Sequence, residues 1–147
     1  FRGYKPSQGS KKISELGLDL EAAGQYLLSQ GARGIVIVGA SMGGTAAIQY
    51  VAHQDLLGVI AISPPTEFRG LNALRDIALV ETSVHLMVSE TDKAAHREAA
   101  ILFHAPHQAG WAIEVFRSGG HGTDLLNGQY GSLVVERLIE VISGFIT

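Results

Sequence analysis

Short apolar runs alternate along the chain with longer segments in which apolar residues recur every three or four positions. Two runs, at 34–39 and 57–63, show no apolar–polar alternation, which predicts strands buried on both faces of a sheet. Two further runs, at 84–88 and 112–116, are also predicted to be strands. Helical spacing predicts helices at 14–30, 42–53, 93–104 and 132–146.

The helical spacing also predicts which side chains each helix buries. The first helix is expected to bury Leu16, Leu20, Ala23 and Leu27, the second Ile48 and Val51, and the last Val134, Leu138, Ile142 and Phe145.

Strands and helices alternate, which predicts right-handed crossovers and a parallel sheet. Residues 1–12 are polar and turn-rich, so they are expected to form a loop, and 66–81 are expected to be a connection with a short helix around 71–77. The sequence therefore predicts one α/β domain over 1–147. Its architecture is a three-layer sandwich with a mainly parallel sheet of about four strands.

Composition narrows the functional classes. Hydrophobic residues make up 46% and charged residues 17% of 147, which is enough for a packed core. The net charge of −3 without a basic block argues against a nucleic-acid surface. The chain has no Cys, so thiol catalysis and disulfides are excluded. No apolar run reaches the roughly 18 residues of a membrane span.

A nucleophile motif follows the first predicted strand. Gly39-Ala40-Ser41-Met42-Gly43 is a G-x-S-x-G sequence between a strand and a helix, which predicts a sharp turn that lifts the Ser41 hydroxyl above the sheet. Side chains at 39 and 43 are expected to collide with backbone, and the Met42 N–H is expected to face a developing oxyanion. The alternative is a glycine-rich turn in which Ser41 is an ordinary N-cap.

An acid and a base follow the third and fourth strands. Asp92 is positioned to hold an imidazole, with Glu90 as the alternative acid, although Asp92 could also simply cap the next helix. His121 lies between glycines on a loop, where it is either the base or an exposed loop residue. The chain order Ser41, Asp92, His121 is the order expected for a nucleophile elbow of this type.

Other candidate sites have weaker support. His104 and His107 lack the further nearby ligands that a zinc site requires, so no metal site is predicted. Large apolar residues beside the strands could line an acyl pocket or pack in the core; they are Phe68, Leu71, Leu74 and Trp111.

The segments VGASMGG (38–44), SETD (89–92) and GGHG (119–122) together resemble the α/β-hydrolase superfamily, near the dienelactone-hydrolase-like enzymes and small serine esterases. The opening FRGYKPSQG also resembles an R-G-x-G-x-S loop that follows an earlier strand in many members, with Lys5 and Pro6 where Gly and a variable residue are usual.

The resemblance implies an α/β-hydrolase fold that is N-terminally incomplete, since strands and a second oxyanion donor would lie ahead of Phe1. The chain would be the C-terminal catalytic portion or a reduced member. The open edge of the 34–39 strand is then expected to be covered by an N-terminal segment or by self-association.

These features predict a serine hydrolase that cleaves small esters through Ser41, His121 and Asp92, with Met42 as oxyanion donor and no metal or organic cofactor. The alternatives are a peptidase, thioesterase or lactone hydrolase with the same triad, or a non-catalytic binding module.

Overall fold

A computed structural model describes residues 1–108 and 110–147. Within them, four parallel strands form the main sheet, in the order β1-β2-β5-β6. Its strands are β1 (Val36–Ala40), β2 (Gly58–Ile62), β5 (Val84–Ser89) and β6 (Trp111–Phe116), and a small antiparallel hairpin holds β3 (Glu67–Phe68) and β4 (Leu71–Asn72). The helices are α1 (Leu16–Ser29), α2 (Met42–Val51), α3 (Lys93–His104) and α4 (Gly131–Ile146).

Alternate residues of β2 point to opposite faces of the sheet and meet different helices. Val59 and Ala61 pack in a cluster with α2 and α3, whereas Ile60 and Ile62 pack in a cluster with Val134 of α4. Every residue of β2 is buried, which confirms the buried strand predicted within 57–63, although Leu57 just before it is 43% exposed. The predicted α/β sandwich with a four-stranded parallel sheet is therefore confirmed.

The burial of β1 differs from the prediction. β1 was expected to be buried on both faces, but it is an edge strand and Val38 remains 44% exposed. The stripe predicted for α1 is also only partly buried, because Leu16 is fully covered while Leu27 is 45% exposed and Ala23 is exposed.

The inward residues predicted for the other helices are confirmed. Ile48 and Val51 of α2 are fully buried in the main core. On α4, Val134 is fully buried, and the rest of its predicted stripe packs in the same cluster; these residues are Leu138, Ile142 and Phe145.

The short helix expected around 71–77 is wrong, because the hairpin occupies the start of that segment. Arg69 and Gly70 both have positive φ, 46° and 92°, which is the conformation of a tight two-residue hairpin turn. The Asn72 side chain then accepts from the Leu74 and Arg75 N–H groups at 2.9 Å, so the chain turns where a helix was predicted. A single 3₁₀ turn, Ile77–Leu79, follows.

Among the described residues, no helix is both long enough and apolar enough to cross a membrane.

Candidate active site

Ser41 lies at the junction of β1 and α2 in a strained conformation. Its φ of 49° and ψ of −121° are costly for a residue with a side chain, and such strain persists only where the surroundings enforce it. Gly39 is one reason that the turn can close, since a Cβ there would overlap the Gly43 backbone oxygen. The side chain of Ser41 makes no capping hydrogen bond to α2, so it is not an ordinary N-cap.

The second steric requirement of the turn falls on Gly44, and the expectation for Gly43 is wrong. A Cβ at Gly43 would meet only the Phe1 ring, at 3.9 Å. A Cβ at Gly44 would lie 3.1 Å from both the Gly39 oxygen and Pro64 Cβ. The difference arises because Gly44, one residue further into α2, faces the sheet and the turn after β2.

Asp92 follows β5 and caps α3 with one carboxylate oxygen while the other faces the loop after β6. Its Oδ1 accepts from the Ala95 N–H at 3.2 Å, and its Oδ2 lies 2.5 Å from His121 Nδ1. Asp92 thus caps α3 and contacts the imidazole at the same time. Glu90, the other acid considered, has an exposed side chain, and its N–H donates to the Phe116 carbonyl at 2.7 Å.

His121 brings the three predicted residues together. Its Nε2 lies 2.7 Å from Ser41 Oγ and its Nδ1 2.5 Å from Asp92 Oδ2. The imidazole is 52% exposed, whereas the Asp92 side chain is only 13% exposed. Proton transfer between Ser41 and His121 needs a contact of this length, and an acid at Nδ1 fixes the tautomer that accepts at Nε2.

The Met42 N–H is the first amide of α2 and therefore lacks an acceptor within the helix. Two later amides of the turn are occupied, since the Gly44 and Thr45 N–H groups both donate to the Ser41 carbonyl, at 2.9 and 3.1 Å. The Met42 amide, at the positive end of the helix dipole, is thus available to an anion beside Ser41.

Sequence analysis missed two buried residues beside this turn. Thr45 is fully buried, and its hydroxyl donates to the Pro65 carbonyl at 2.6 Å. Ser63 is fully buried at the end of β2 with a φ of 49°. Their roles depend on the path of residues 63–66, and the sequence offers only the Pro64-Pro65 pair as a hint of that turn.

Other ionisable groups lie away from the triad. His85 on β5 is buried, which lowers its pKa, although the Glu114 carboxylate 3.2 Å away opposes this shift. Tyr50 on α2 donates to Glu21 of α1 at 2.7 Å, and burial together with that carboxylate raises its pKa to about 12. Both pairs join neighbouring elements of the fold.

The two histidines considered for a metal pack on aromatic rings. His107 stacks on Trp111 at 4.5 Å and contacts the Phe103 carbonyl, and the His104 ring lies edge-on to Phe103. In the described part of the chain, no group of three or more potential ligands is arranged to hold a metal ion.

Several solved structures have a backbone course similar to that of this chain, although their sequences differ from it. The esterase domain of a Rhodothermus marinus protein superposes with a TM-score of 0.71 at 18% identity, over 88% of this chain and 68% of that one. A lipase-esterase related protein from Clostridium acetobutylicum gives 0.76 at 11% identity, over 94% and 79%. Dienelactone hydrolase from Anabaena variabilis gives 0.68 at 19% identity, over 87% and 58%.

The chain has the α/β-hydrolase fold. Comparison of the sequence with protein-family models and with curated proteins gives no match. The likeness is therefore one of backbone course and not of sequence.

The candidate acyl-pocket residues of this α/β-hydrolase fold lie in different places. Phe68 and Leu71, on the hairpin, pack in a cluster that also includes Met42, next to Ser41. Trp111 begins β6, so it lies at the amino ends of the parallel strands, whereas the triad residues follow their carboxyl ends. Leu74 packs against the main core. Of the four, only the hairpin residues are near the site.

Proposed function

We propose that this chain is a serine hydrolase of small carboxylic esters, with Ser41 as nucleophile, His121 as general base and Asp92 as the acid. The observation that carries the proposal is the continuous chain of contacts from Ser41 Oγ through both nitrogens of His121 to Asp92 Oδ2, 2.7 and 2.5 Å. It joins three residues that are up to 80 positions apart in the sequence.

In the first step, Ser41 Oγ attacks the ester carbonyl while its proton moves to His121 Nε2. Asp92 accepts the Nδ1–H hydrogen bond, which holds the ring and stabilises the imidazolium. Collapse of the tetrahedral intermediate breaks the bond to the alcohol, which takes the proton from Nε2. Water, deprotonated by the same nitrogen, then releases the acid from Ser41.

The Met42 N–H is the first donor to the oxyanion in this mechanism. The strain at Ser41 supports this assignment, because the turn places the hydroxyl and the first amide of α2 side by side. A second donor has to come from a segment outside α2. Loss of one such donor typically lowers the rate by about 10²–10³-fold.

The preference for small esters follows from the connection after β2. The hairpin is short, and it is fastened to α2 by the Gln49 side chain, which accepts from the Asn72 N–H at 2.9 Å. Phe68 packs in the cluster that includes Met42, which suggests a short apolar wall beside the nucleophile. Such a wall suits a small acyl group better than a long lipid chain.

A fluorophosphonate probe tests the proposal directly. We expect it to label the wild-type protein and to leave Ser41→Ala unlabelled. A panel of matched ester, thioester, amide and lactone substrates then separates the esterase from a thioesterase, peptidase or lactone hydrolase. Folded wild-type protein that neither labels nor turns over any of them would instead be a non-catalytic binding module.

We also infer that the exposed edge of β1 is covered by a further strand. Val38 is 44% exposed and Leu27 45% exposed beside an edge whose backbone groups point outward. The covering strand comes either from an N-terminal segment of a longer product or from a second copy. Sedimentation of this chain with and without upstream residues distinguishes the two.

A further inference from the structure

The turn after β2 is attached to the helix that begins at the nucleophile. We call residues 63–66 the brace turn. The Thr45 hydroxyl donates to the Pro65 carbonyl at 2.6 Å, and the Thr45 N–H donates to the Ser41 carbonyl at 3.1 Å. Thr45 is fully buried, so water does not compete for these bonds. One residue thus connects the nucleophile's own peptide to the brace turn.

The same turn is attached to the helix that Asp92 caps. Glu98 of α3 accepts from the Thr66 N–H at 2.5 Å and from the Thr66 hydroxyl at 3.0 Å, both at the same carboxylate oxygen. Both side chains are partly buried, and hydrogen bonds to an ionised carboxylate are stronger than neutral ones. Glu98 lies on the helix whose first residue, Lys93, follows the acid directly.

The conformation of the brace turn is closely restricted. Ser63 has a φ of 49°, and its N–H donates to the Met87 carbonyl at 2.9 Å, so the turn starts from a fixed point on β5. Pro64 is buried and packs on Gly44, because a Cβ added at Gly44 would lie only 3.1 Å from Pro64 Cβ. The two prolines fix their own φ angles. A turn restricted in this way can transmit a position from one helix to the other.

We propose that the brace turn sets the distance between Ser41 and Asp92, and that Thr45 and Glu98 are positioning residues for the reaction. The inference rests on the proposed function. The imidazole of His121 has to touch both residues at once, so a small shift of α2 relative to α3 lengthens one of its two contacts. A misplacement of about 1 Å can lower a rate by about 10²-fold.

Two substitutions, each of which removes one hydrogen bond of the brace turn, test the proposal. Thr45→Val keeps the shape of the side chain and removes its donor, and Glu98→Ala removes the acceptor from a partly exposed helix position. For each, we expect kcat on p-nitrophenyl acetate and the phosphonylation rate of Ser41 to fall by about 10- to 100-fold, with KM changed less than threefold. Thr45→Ser, which restores the hydroxyl, is expected to recover most of the rate.

The double variant separates positioning from general destabilisation. If both residues act by holding one turn, either substitution releases it. The rate of the double variant should then fall by much less than the product of the two single fold-losses. His53→Gln is the matched control, because His53, just after α2, also contacts the connection, at Asp76, but beyond the brace turn. We expect it to label at the wild-type rate.

The outcomes are distinct. Wild-type protein that fails to label rejects the proposed function and this inference with it. Wild-type protein that labels, together with unchanged labelling in folded Thr45→Val or folded Glu98→Ala, rejects the brace alone. Losses that multiply in the double variant, or an equal loss in His53→Gln, also reject it. If Thr45→Val does not fold, Glu98→Ala with its partner variant Thr66→Val decides the question.

Discussion

Two turns of this molecule begin with a serine of the same positive φ, but the two hydroxyl groups have different surroundings. Ser41 after β1 and Ser63 after β2 both have a φ of 49°. Each N–H continues the sheet ladder by donating to the neighbouring strand, Ser41 to the Ile62 carbonyl at 2.8 Å and Ser63 to the Met87 carbonyl at 2.9 Å. Yet the Ser41 hydroxyl contacts His121, while the buried Ser63 hydroxyl has no hydrogen-bond partner within the described chain.

The residues that follow each serine account for the difference. Met42-Gly43-Gly44 can start a helix at once, which leaves Ser41 at the rim of the sheet. Pro64 and Pro65 have no N–H to donate, so the chain leaves β2 as a turn that packs on α2. A strained serine therefore does not identify a nucleophile by itself, and the base within hydrogen-bond reach is what distinguishes the two.

Removing the Ser41 hydroxyl is expected to have the largest effect. Ser41→Ala takes away the atom that attacks the carbonyl, so kcat should fall by about 10⁶-fold, the scale of nucleophile loss in triad hydrolases. Ester turnover and active-site labelling measure this. Residual turnover within 100-fold of wild type would mean that the chemistry uses another group, and the comparison of the two turns would lose its basis.

Asp92→Asn tests the next contact outward from Ser41. The amide cannot hold the His121 tautomer that accepts at Nε2, so we expect kcat to fall by about 10⁴-fold while the fold is retained. Because Asp92 also caps α3 through Ala95, asparagine is chosen as a residue that still caps a helix. Glu90→Gln is the control and should leave kcat within a few-fold, and a larger loss there would assign the acid to Glu90.

The strands of the parallel sheet and the helices between them could be predicted well, because each has a simple periodic pattern of apolar residues. The G-x-S-x-G turn, Asp92 and His121 could be found because each follows a predicted strand, and the carboxyl ends of parallel strands meet at one edge. The hairpin in 66–81 was not found, since Arg69 at positive φ has no propensity that announces it.

The exposure of side chains at the edge of the sheet could not be predicted from the sequence either. The apolar run around Val38 indicates a buried strand, but exposure depends on which neighbours are present, and β1 has one strand beside it in this structure. The same holds for Leu27 on α1. Thr45 could not be assigned, because its contact depends on the path of a turn 20 residues further along.

Ser63→Ala is expected to raise the stability of the protein, whereas Ser41→Ala abolishes its activity. A buried hydroxyl without a partner costs about 1–3 kcal/mol, so its removal should stabilise the protein by about 1 kcal/mol after the loss of packing. Ser63→Gly should also relieve the positive φ. Urea unfolding measures both, and the ester turnover of Ser63→Ala, which keeps the backbone restriction of the turn, should stay within a few-fold of wild type. A destabilised Ser63→Ala would show that this hydroxyl is paired in solution.

The smallest expected effect concerns His85, on β5 beside the strand that carries Ser63. Burial lowers the pKa of His85 in the folded chain below its ordinary value of 6.5, with Glu114 opposing and Arg137 reinforcing the shift. As the pH falls below about 6.5, the unfolded chain takes up a proton that the folded chain resists, so the free energy of unfolding falls. His85→Gln should therefore flatten the pH dependence of the urea midpoint between pH 7 and 5. Glu114→Gln removes the opposing carboxylate and should steepen that dependence. If His85→Gln leaves the slope unchanged, the acid sensitivity of the fold comes from other groups.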